Sequence, residues 1–175
     1  GVALVADGMH VGGDAFLREG FEAAGTIRLG GVRIDGQLVM SGAKLTGTDS
    51  GGDALAAHGI HVGSDALLTE GFEAAGTIRL LGASIDGQLA FVRAGAARRL
   101  VLLDARCGQL ADDEASWPSS PGSLVLRGFR FGALAFDTGW HQRLEWVRRQ
   151  GFVDWSPDPY EQLASYDTTS GDEAT

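Results

Sequence analysis

Six pairs of ionisable residues recur in this sequence at a spacing of 51 positions. The pairs are His10 with His61, Asp14 with Asp65, Glu19 with Glu70, Glu22 with Glu73, Arg28 with Arg79, and Asp35 with Asp86. Histidine and carboxylate side chains are the ones that proteins use for metal binding and acid–base catalysis, and His10 could pair locally with Asp14, as His61 could with Asp65. The alternative, which we favour, is polarity that repeats at solvent-facing and corner positions.

The motifs that usually mark catalytic or cofactor sites do not occur in the sequence. Nowhere are two glycines separated by a single residue, so the dinucleotide motif Gly-x-Gly-x-x-Gly is excluded. The phosphate-binding Gly-Lys-Ser/Thr, Cys-x-x-Cys, His-Glu-x-x-His and Gly-x-Ser-x-Gly are also missing. We therefore predict no catalytic residue, no cofactor-binding residue and no metal ligand, and we expect that the chain is not an enzyme.

The amino-acid composition restricts the kinds of partner that the chain is expected to bind. The net charge is −9 and the isoelectric point is about 4.8, so the chain lacks the basic surface of a nucleic-acid-binding protein, and we expect no nucleic acid. Cys107 is the single cysteine, which excludes an internal disulfide and favours a small buried side chain. No apolar stretch reaches about 18 residues, so we expect no membrane span within this chain.

The 51-residue spacing belongs to a long internal repeat. Residues 3–38 align with residues 54–89 without gaps, and 27 of the 36 aligned positions are identical. Repeats of about 20–50 residues are typical of folds in which similar units stack on one another. The repeat therefore predicts an architecture and does not point to a reaction.

A shorter unit of eleven residues lies inside the long repeat. It reads Gly-x-φ-x-φ-x-Gly-φ-x-φ-x, where φ is apolar, and residues 25–35 fit it with Ile27, Leu29, Val32 and Ile34. Residues 36–46, 76–86 and 122–132 follow the same pattern. Apolar residues at every second position predict strands with one buried face, and regularly placed glycines predict tight corners. We therefore expect a mainly β fold, a parallel β-helix (solenoid) of short strands.

The solenoid is predicted over residues 1–136, with coils of about 22 residues, each made of two units. Two coils and one loop then account for the 51-residue repeat, and the polar, glycine-rich segment GTDSGGD at 47–53 is the predicted loop. A second surface loop is predicted at 111–122, because this segment contains two prolines and three acidic residues.

From residue 137 the apolar period changes to that of a helix. Trp140, Leu144 and Val147 share one face of a helix predicted over 139–150, with Thr138 as its N-cap and Gly151 just after its end. A second helix is predicted over 159–166, capped by Asp158 and with Pro159 in its first turn. We expect residues 137–166 to form a small α-helical cap on the solenoid, followed by a flexible tail at 167–175.

Four aromatic residues of this segment are the candidate interaction residues: Trp140, Trp146, Trp155 and Tyr160. Aromatic side chains are enriched where proteins contact one another. A cap that protects the end of the solenoid is one interpretation of the segment, and a hairpin that docks on a partner is the alternative.

Three stretches carry a family resemblance: VGGDAFLREGFEAAGTIRL, GASIDGQLAF and EWVRRQGFVDWSPDPYEQLASY. They resemble actinobacterial repeat proteins related to pentapeptide-repeat and bactofilin-like β-solenoids, a family often labelled "membrane-associated oxidoreductase". The resemblance covers most of the chain and implies right-handed coils. It also implies that the last stretch leads towards helices and membrane spans that this sequence does not contain. No cofactor motif in the sequence supports the oxidoreductase label.

The sequence thus predicts a structural scaffold or protein-interaction module, which the resemblance would make the soluble part of a membrane-associated protein. Expected partners are another protein or a second copy bound through the solenoid ends, as in a homodimer. The expected location is cytoplasmic, at the membrane face if the resemblance holds. One alternative is an oxidoreductase domain with an unrecognised cofactor site. The other is an acidic pentapeptide-like DNA mimic, although Arg28, Arg33, Arg79, Arg98 and Arg99 interrupt an acidic surface.

Overall fold

The computed structural model describes residues 1–136 and 138–170, the last four by their backbone alone. Over these residues the chain forms short β-strands followed by two α-helices. The strands are β1 (Val2–Val5), β2 (His10–Val11), β3 (Ala15–Phe16), β4 (Glu22–Ala23), β5 (Thr26–Arg28), β6 (Arg33–Ile34), β7 (Leu38–Val39), β8 (Lys44–Leu45), β9 (Asp53–Ala56), β10 (His61–Val62), β11 (Ala66–Leu67), β12 (Glu73–Ala74), β13 (Thr77–Arg79), β14 (Ser84–Phe91), β15 (Arg99–Val101), β16 (Arg106–Asp112), β17 (Leu124–Val125) and β18 (Arg130–Leu134). The helices are α1 (Trp140–Arg148) and α2 (Asp158–Ser170).

The strands stack into a parallel β-solenoid of six coils, which confirms the predicted fold class. Sheet A has the strand order β1-β5-β9-β13-β15-β17, with one strand from each coil. We number the coils 1 to 6 from these strands, and they span residues 1–24, 25–51, 52–75, 76–97, 98–121 and 122–136. Sheet B continues from β2 and β3 to β18, and the three-stranded sheet C (β4, β8, β12) belongs to coils 1–3.

Inward side chains form columns that run along the solenoid. One column in sheet A consists of Leu4, Ile27, Leu55, Ile78, Leu100 and Leu124. A column in sheet B consists of Val11, Ile34, Val62, Ile85, Cys107 and Phe131. In the middle coils these residues are buried in one continuous apolar core. The alternation that the eleven-residue unit predicted is therefore the alternation between core and surface.

The register explains the 51-residue repeat. Val11 pairs with Ile34, 23 residues later, and Ile34 pairs with Val62 after a further 28 residues. Two coils therefore span 51 residues, and the longer of the two contains a loop at 46–52. Asp53, which the sequence placed in that loop, is instead the first residue of β9, where its buried carboxylate lies 2.9 Å from a guanidinium nitrogen of Arg79.

The predicted surface loop at 111–122 is in part wrong. Ala111 and Asp112 are buried at the end of β16, and Trp117 is buried after a 3₁₀ turn at Glu114–Ser116. Asp113 caps this turn, because its carboxylate accepts hydrogen bonds from the backbone N–H and the hydroxyl of Ser116. The prolines that favoured a loop lie only after Trp117.

Both helices differ at their ends from the prediction. Gly139 is the N-cap of α1, with a φ of 72° that favours glycine, and Thr138 does not cap this helix. Helix α1 ends at Arg148, with Arg149 as its C-cap, and Gly151 does not directly follow it. Helix α2 begins one residue early and continues to Ser170, which corrects the predicted start of the tail at 167, and residues 171–175 lie outside the described residues. Asp158 is itself the first residue of α2 and so does not cap it, and its carboxylate accepts a hydrogen bond from the N–H of Gly128 at 3.2 Å.

Alanine substitutions of the glycines at the corner between the two halves of sheet B would test the stacking of the coils. A Cβ atom added to Gly63 in coil 3 would lie 2.3 Å from the carbonyl oxygen of Asp35 in coil 2. Gly12 is the matched position in coil 1, and a Cβ atom there would meet nothing within 4 Å. The two glycines are 51 residues apart in the repeat, so the same substitution can be compared at a covered corner and at an open one.

We expect Gly63→Ala to lower the free energy of unfolding by about 1–3 kcal/mol, because coil 2 must move away from coil 3. Gly12→Ala should change it by no more than about 0.5 kcal/mol. Urea unfolding followed by far-ultraviolet circular dichroism measures both. Equal effects of the two substitutions would contradict the stacking of coil 2 on coil 3.

Candidate functional site at the two ends of the solenoid

Large apolar side chains reach the surface in two places among the described residues. Coil 1 exposes Val2, Val5, Met9 and Phe16, and the segment at 136–155 exposes Phe136, Trp140, Phe152, Val153 and Trp155. Between them, the described residues from 25 to 135 expose no large apolar side chain. Exposed apolar clusters usually mark interaction surfaces, so the two ends of the solenoid are the candidate site.

A buried ion pair attaches the helices to the solenoid. Phe91 in coil 4 pairs in register with Asp112 in coil 5, so that Asp112 occupies an inward position that is apolar in the earlier coils. The guanidinium of Arg143 in α1 donates two hydrogen bonds to the Asp112 carboxylate, at 2.6 and 2.9 Å. Both side chains are almost completely buried. Burial of a charge is costly unless it is paired, so Asp112 requires the helix above it.

Two tryptophans enclose this ion pair. The indole N–H of Trp117 donates a hydrogen bond to Asp112 at 2.8 Å. The Arg143 guanidinium carbon lies 5.4 Å from the ring centre of Trp117 and 5.0 Å from that of Trp146, distances at which a cation is attracted to an aromatic face. The two indole rings are 6.4 Å apart. A cluster of one acid, one base and two aromatic rings therefore joins α1 to coil 5.

This cluster corrects the predicted face of α1. The buried side chains of α1 are Arg143, Trp146 and Val147, whereas Trp140 is exposed. The apolar period placed Trp140, Leu144 and Val147 inward because it treated Arg143 as a surface residue. Because the Asp112 carboxylate binds Arg143, the face of α1 that carries Arg143 and Trp146 lies against the core.

The connection between α1 and α2 lies against the last two coils. Arg99 donates a hydrogen bond to Asp154 at 2.6 Å, and Arg149 donates one to the Pro118 carbonyl at 2.9 Å. The N–H of Gly122 bonds the Arg149 carbonyl at 3.0 Å. A Cβ atom on Gly151 would lie only 2.8 Å from the Cα atom of Gly122, which explains the glycine at this position.

The four predicted interaction residues differ in how far they are exposed. Trp146 is 2% exposed, so the structure does not offer it to a partner, and its role is to enclose the Asp112–Arg143 pair. Trp140 and Trp155 are 49% and 55% exposed. Tyr160 is half-buried, and its ring lies 6.5 Å from that of Trp155. The structure thus groups Trp155 with Tyr160 and leaves Trp140 at the start of α1.

Phe152 and Val153 are candidates that the sequence reasoning missed. Both side chains are fully exposed in the connection between α1 and α2, next to Trp155. Their position between the two helices could have identified them, since an apolar pair in a connecting segment cannot be buried on a helix face. Phe152, Val153, Trp155 and Tyr160 are called the hairpin tip below.

Several of the recurring polar residues bond to residues of the neighbouring coil. A ring nitrogen of His10 lies 3.0 Å from Asp35 in the next coil, and His61 lies 3.2 Å from Asp86 in the same way. The hydrogen bond from His10 holds the pKa of the Asp35 carboxyl below its usual value. The local pairs His10–Asp14 and His61–Asp65 are therefore wrong, because the side chain of Asp14 instead accepts the backbone N–H of Gln37 and that of Asp65 accepts Gln88.

The recurring arginine Arg28 also bonds to a neighbouring coil. Its guanidinium pairs with Asp7 of coil 1 at 2.7 Å. Among the described residues no three histidine, cysteine or acidic side chains converge where they could hold a metal ion. Each of these exposed pairs contributes little to stability, and together they form the polar outer surface of the coils.

Comparison of the chain with protein-family models, with curated proteins and with solved structures found no match. Within the described part of the chain, neither helix is long and apolar enough to cross a membrane.

We expect Arg143→Leu to detach the helices from the solenoid, because it leaves Asp112 buried without a counter-charge, at a cost of about 3–5 kcal/mol. All four tryptophans lie between residues 117 and 155, so tryptophan fluorescence reports on this region, while circular dichroism reports on the coils. Arg148→Leu is the matched control in the same helix, because the pair of Arg148 with Glu145 is exposed.

The Arg148→Leu control should cost no more than about 0.5 kcal/mol. Replacing both Asp112 and Arg143 by leucine should restore much of the lost stability, since no charge is then buried. If Arg143→Leu proved as stable as Arg148→Leu, the Asp112–Arg143 ion pair would not be what holds the helices on the solenoid.

Cys107 should be inert in the folded protein. Its side chain is buried in an inward column, and burial raises the pKa of its thiol to about 12. Because the thiolate is the reactive form, a thiol reagent at pH 8 should react only after unfolding. Rapid reaction of the native protein would contradict the inward position of Cys107.

Proposed function

We propose that this chain is a structural scaffold or protein-interaction module that binds its partners through the two ends of a rigid β-solenoid. The observation that carries the proposal is the distribution of exposed apolar residues, which lie in coil 1 and in the segment at 136–155. A continuous core and between-coil hydrogen bonds give the intervening coils a fixed length and direction. Such a body suits the placement of two binding surfaces at a set distance.

The hairpin tip supports a role in protein binding. Phe152 and Val153 make no contribution to the core, because both side chains are fully exposed, yet the backbone beside them is fixed through Asp154 and Gly151. Rigid, exposed aromatic and aliphatic groups bind with little loss of conformational entropy. Location at a membrane face and membership of the membrane-associated repeat family belong to the same proposal and rest on the sequence resemblance alone.

The surface charge gives no support to DNA mimicry, which would need a continuous acidic face. The outward column of sheet B consists of His10, Arg33, His61, Ser84, Arg106 and Arg130. Three of its six residues are arginines and none is acidic, so this side of the solenoid is not a continuous acidic face. We therefore base the proposal on the ends of the solenoid and not on its charged sides.

Site-specific photocrosslinking in the cells that make the protein tests the proposal. A benzophenone amino acid at Phe16 or Phe152 should give discrete adducts with other polypeptides, because these positions lie on the proposed binding surfaces. The matched control is Arg33, which is similarly exposed but lies on the side of coil 2. Absence of adducts from both ends, or the same adducts from Arg33, would contradict the proposal.

A further inference from the structure

We propose that Arg106 and Arg130, on the side of coils 5 and 6, form a binding site for a doubly charged phosphate group. The site lies apart from the two apolar ends of the solenoid, so the inference goes beyond the proposed function and does not depend on it. Three observations carry it. The two arginines are direct neighbours in sheet B, no described acidic side chain pairs with either of them, and the surface beside them consists of glycines.

Arg106 and Arg130 occupy matched positions in adjacent strands. They are register partners in the parallel pairing of β16 with β18, so their Cα atoms are about 4.8 Å apart. Each precedes a residue of the inward column, Cys107 or Phe131, and both arginine side chains are exposed. Like charges placed directly opposite on neighbouring strands repel each other. An anion bound between the two guanidinium groups would remove that repulsion.

In the earlier coils, acidic side chains accompany the same outward column. A guanidinium nitrogen of Arg33 lies 3.3 Å from the carboxylate of Asp35, and a ring nitrogen of His10 lies 3.0 Å from it. His61 lies 3.2 Å from Asp86 in the same way. Both acids stand two residues after the column position of their own coil. The basic side chains of the column in coils 1 to 3 therefore have carboxylate partners within the protein.

Arg106 and Arg130 have no such partner among the described residues, where neither forms an ion pair with an acidic side chain. Glycine occupies the acid position in both coils, as Gly108 and Gly132, and a Cβ atom on Gly132 would lie 2.7 Å from the carbonyl oxygen of Gly108. Arg106 donates a hydrogen bond from Nε to the hydroxyl of Ser84 at 2.9 Å. This bond orients the guanidinium and leaves its two terminal nitrogens for a ligand.

The other charged groups nearby belong to different contacts. Asp104 lies beside Gly128 at the preceding corner, and Asp158 accepts the N–H of Gly128 at 3.2 Å. Arg127 directly precedes Gly128, so we group it with these two acids and not with the arginine pair. Asp86 of coil 4 contacts coil 3, on the side away from coil 5. The arginine pair is therefore a local excess of positive charge in a chain whose net charge is −9.

Charge and geometry favour a phosphate group as the ligand. A phosphate monoester carries a charge of about −1.5 to −2 at pH 7 and three strong acceptor oxygens. Two guanidinium groups on strands about 5 Å apart offset that charge, whereas a single carboxylate would leave one of them without a counter-charge. A guanidinium group also matches phosphate oxygens through two parallel hydrogen bonds. The phosphate can be free or attached to another molecule, and the glycines beside the pair leave room for an attached group.

Nuclear magnetic resonance of the full chain, titrated with sodium phosphate at neutral pH and constant ionic strength, tests the site. The backbone N–H signals of Arg106, Arg130 and Gly132 should shift along one saturation curve, while that of Arg33 should not, because Asp35 already pairs with it. Arg106→Gln and Arg130→Gln should each weaken binding by about 10-fold, since each removes a charge-assisted contact. Arg33→Gln is the matched control from the same column and should leave the affinity unchanged.

Two further probes identify the ligand. Sodium acetate should bind at least about 10-fold more weakly than phosphate, because it carries one charge. A phosphoserine peptide with blocked ends separates the sources of phosphate: tighter binding than sodium phosphate assigns the site to a phosphorylated partner, and equal or weaker binding assigns it to a free phosphate compound.

Three results would overturn the inference: acetate that binds as tightly as phosphate, equal shifts at Arg33, or an unchanged affinity when Arg106 and Arg130 are both replaced by glutamine. Both side chains are exposed, so the variants should keep the circular dichroism spectrum of the unmodified chain. Crosslinks from Phe16 and Phe152 test the proposed function separately, because neither residue belongs to this site.

Discussion

Each coil of this protein can bury its inward side chains only against the coils on either side of it. Ile34, for example, lies between Val11 and Val62, and Ile78 lies between Leu55 and Leu100. Burial of one such side chain contributes about 1.5–3 kcal/mol, but only when both neighbours are present. A shift of one residue within a strand would turn the apolar set towards water. The loop at 46–52 is tolerated because it lies between strands and leaves every column in register.

The last coils have fewer neighbouring coils to pack against, and there a helix replaces the missing coil. At coil 5 an acid replaces the inward apolar residue, and Asp112 then requires Arg143 from a helix. A buried ion pair adds little net stability compared with an apolar contact, but it specifies which helix face binds and in which orientation. In coil 1 the column residues Leu4 and Val11 are partly exposed.

Much of the solenoid could be predicted because its information is local and repeated. The period of two in Ile27–Leu29 and Val32–Ile34 predicts strands, and the 51-residue repeat predicts two coils with a loop. The helical segment could be located, but its buried face could not be predicted, because that face depends on Asp112, 31 residues from Arg143 in the sequence. The partners of His10 and His61 were missed for a similar reason, since both acids belong to the following coil. Contacts between coils depend on register, which local spacing does not encode.

The most direct test of the stacked coils is a pair of electron spin resonance distances between labels on the outward column of sheet B. Arg130 and His10 are five strand spacings apart, or about 24 Å, and Arg130 and Arg33 are four spacings apart, or about 19 Å. The account predicts two narrow distributions that differ by one spacing, about 5 Å, although the labelled positions His10 and Arg33 are 23 residues apart in sequence. Equal distances, or a difference much larger than one spacing, would contradict the solenoid.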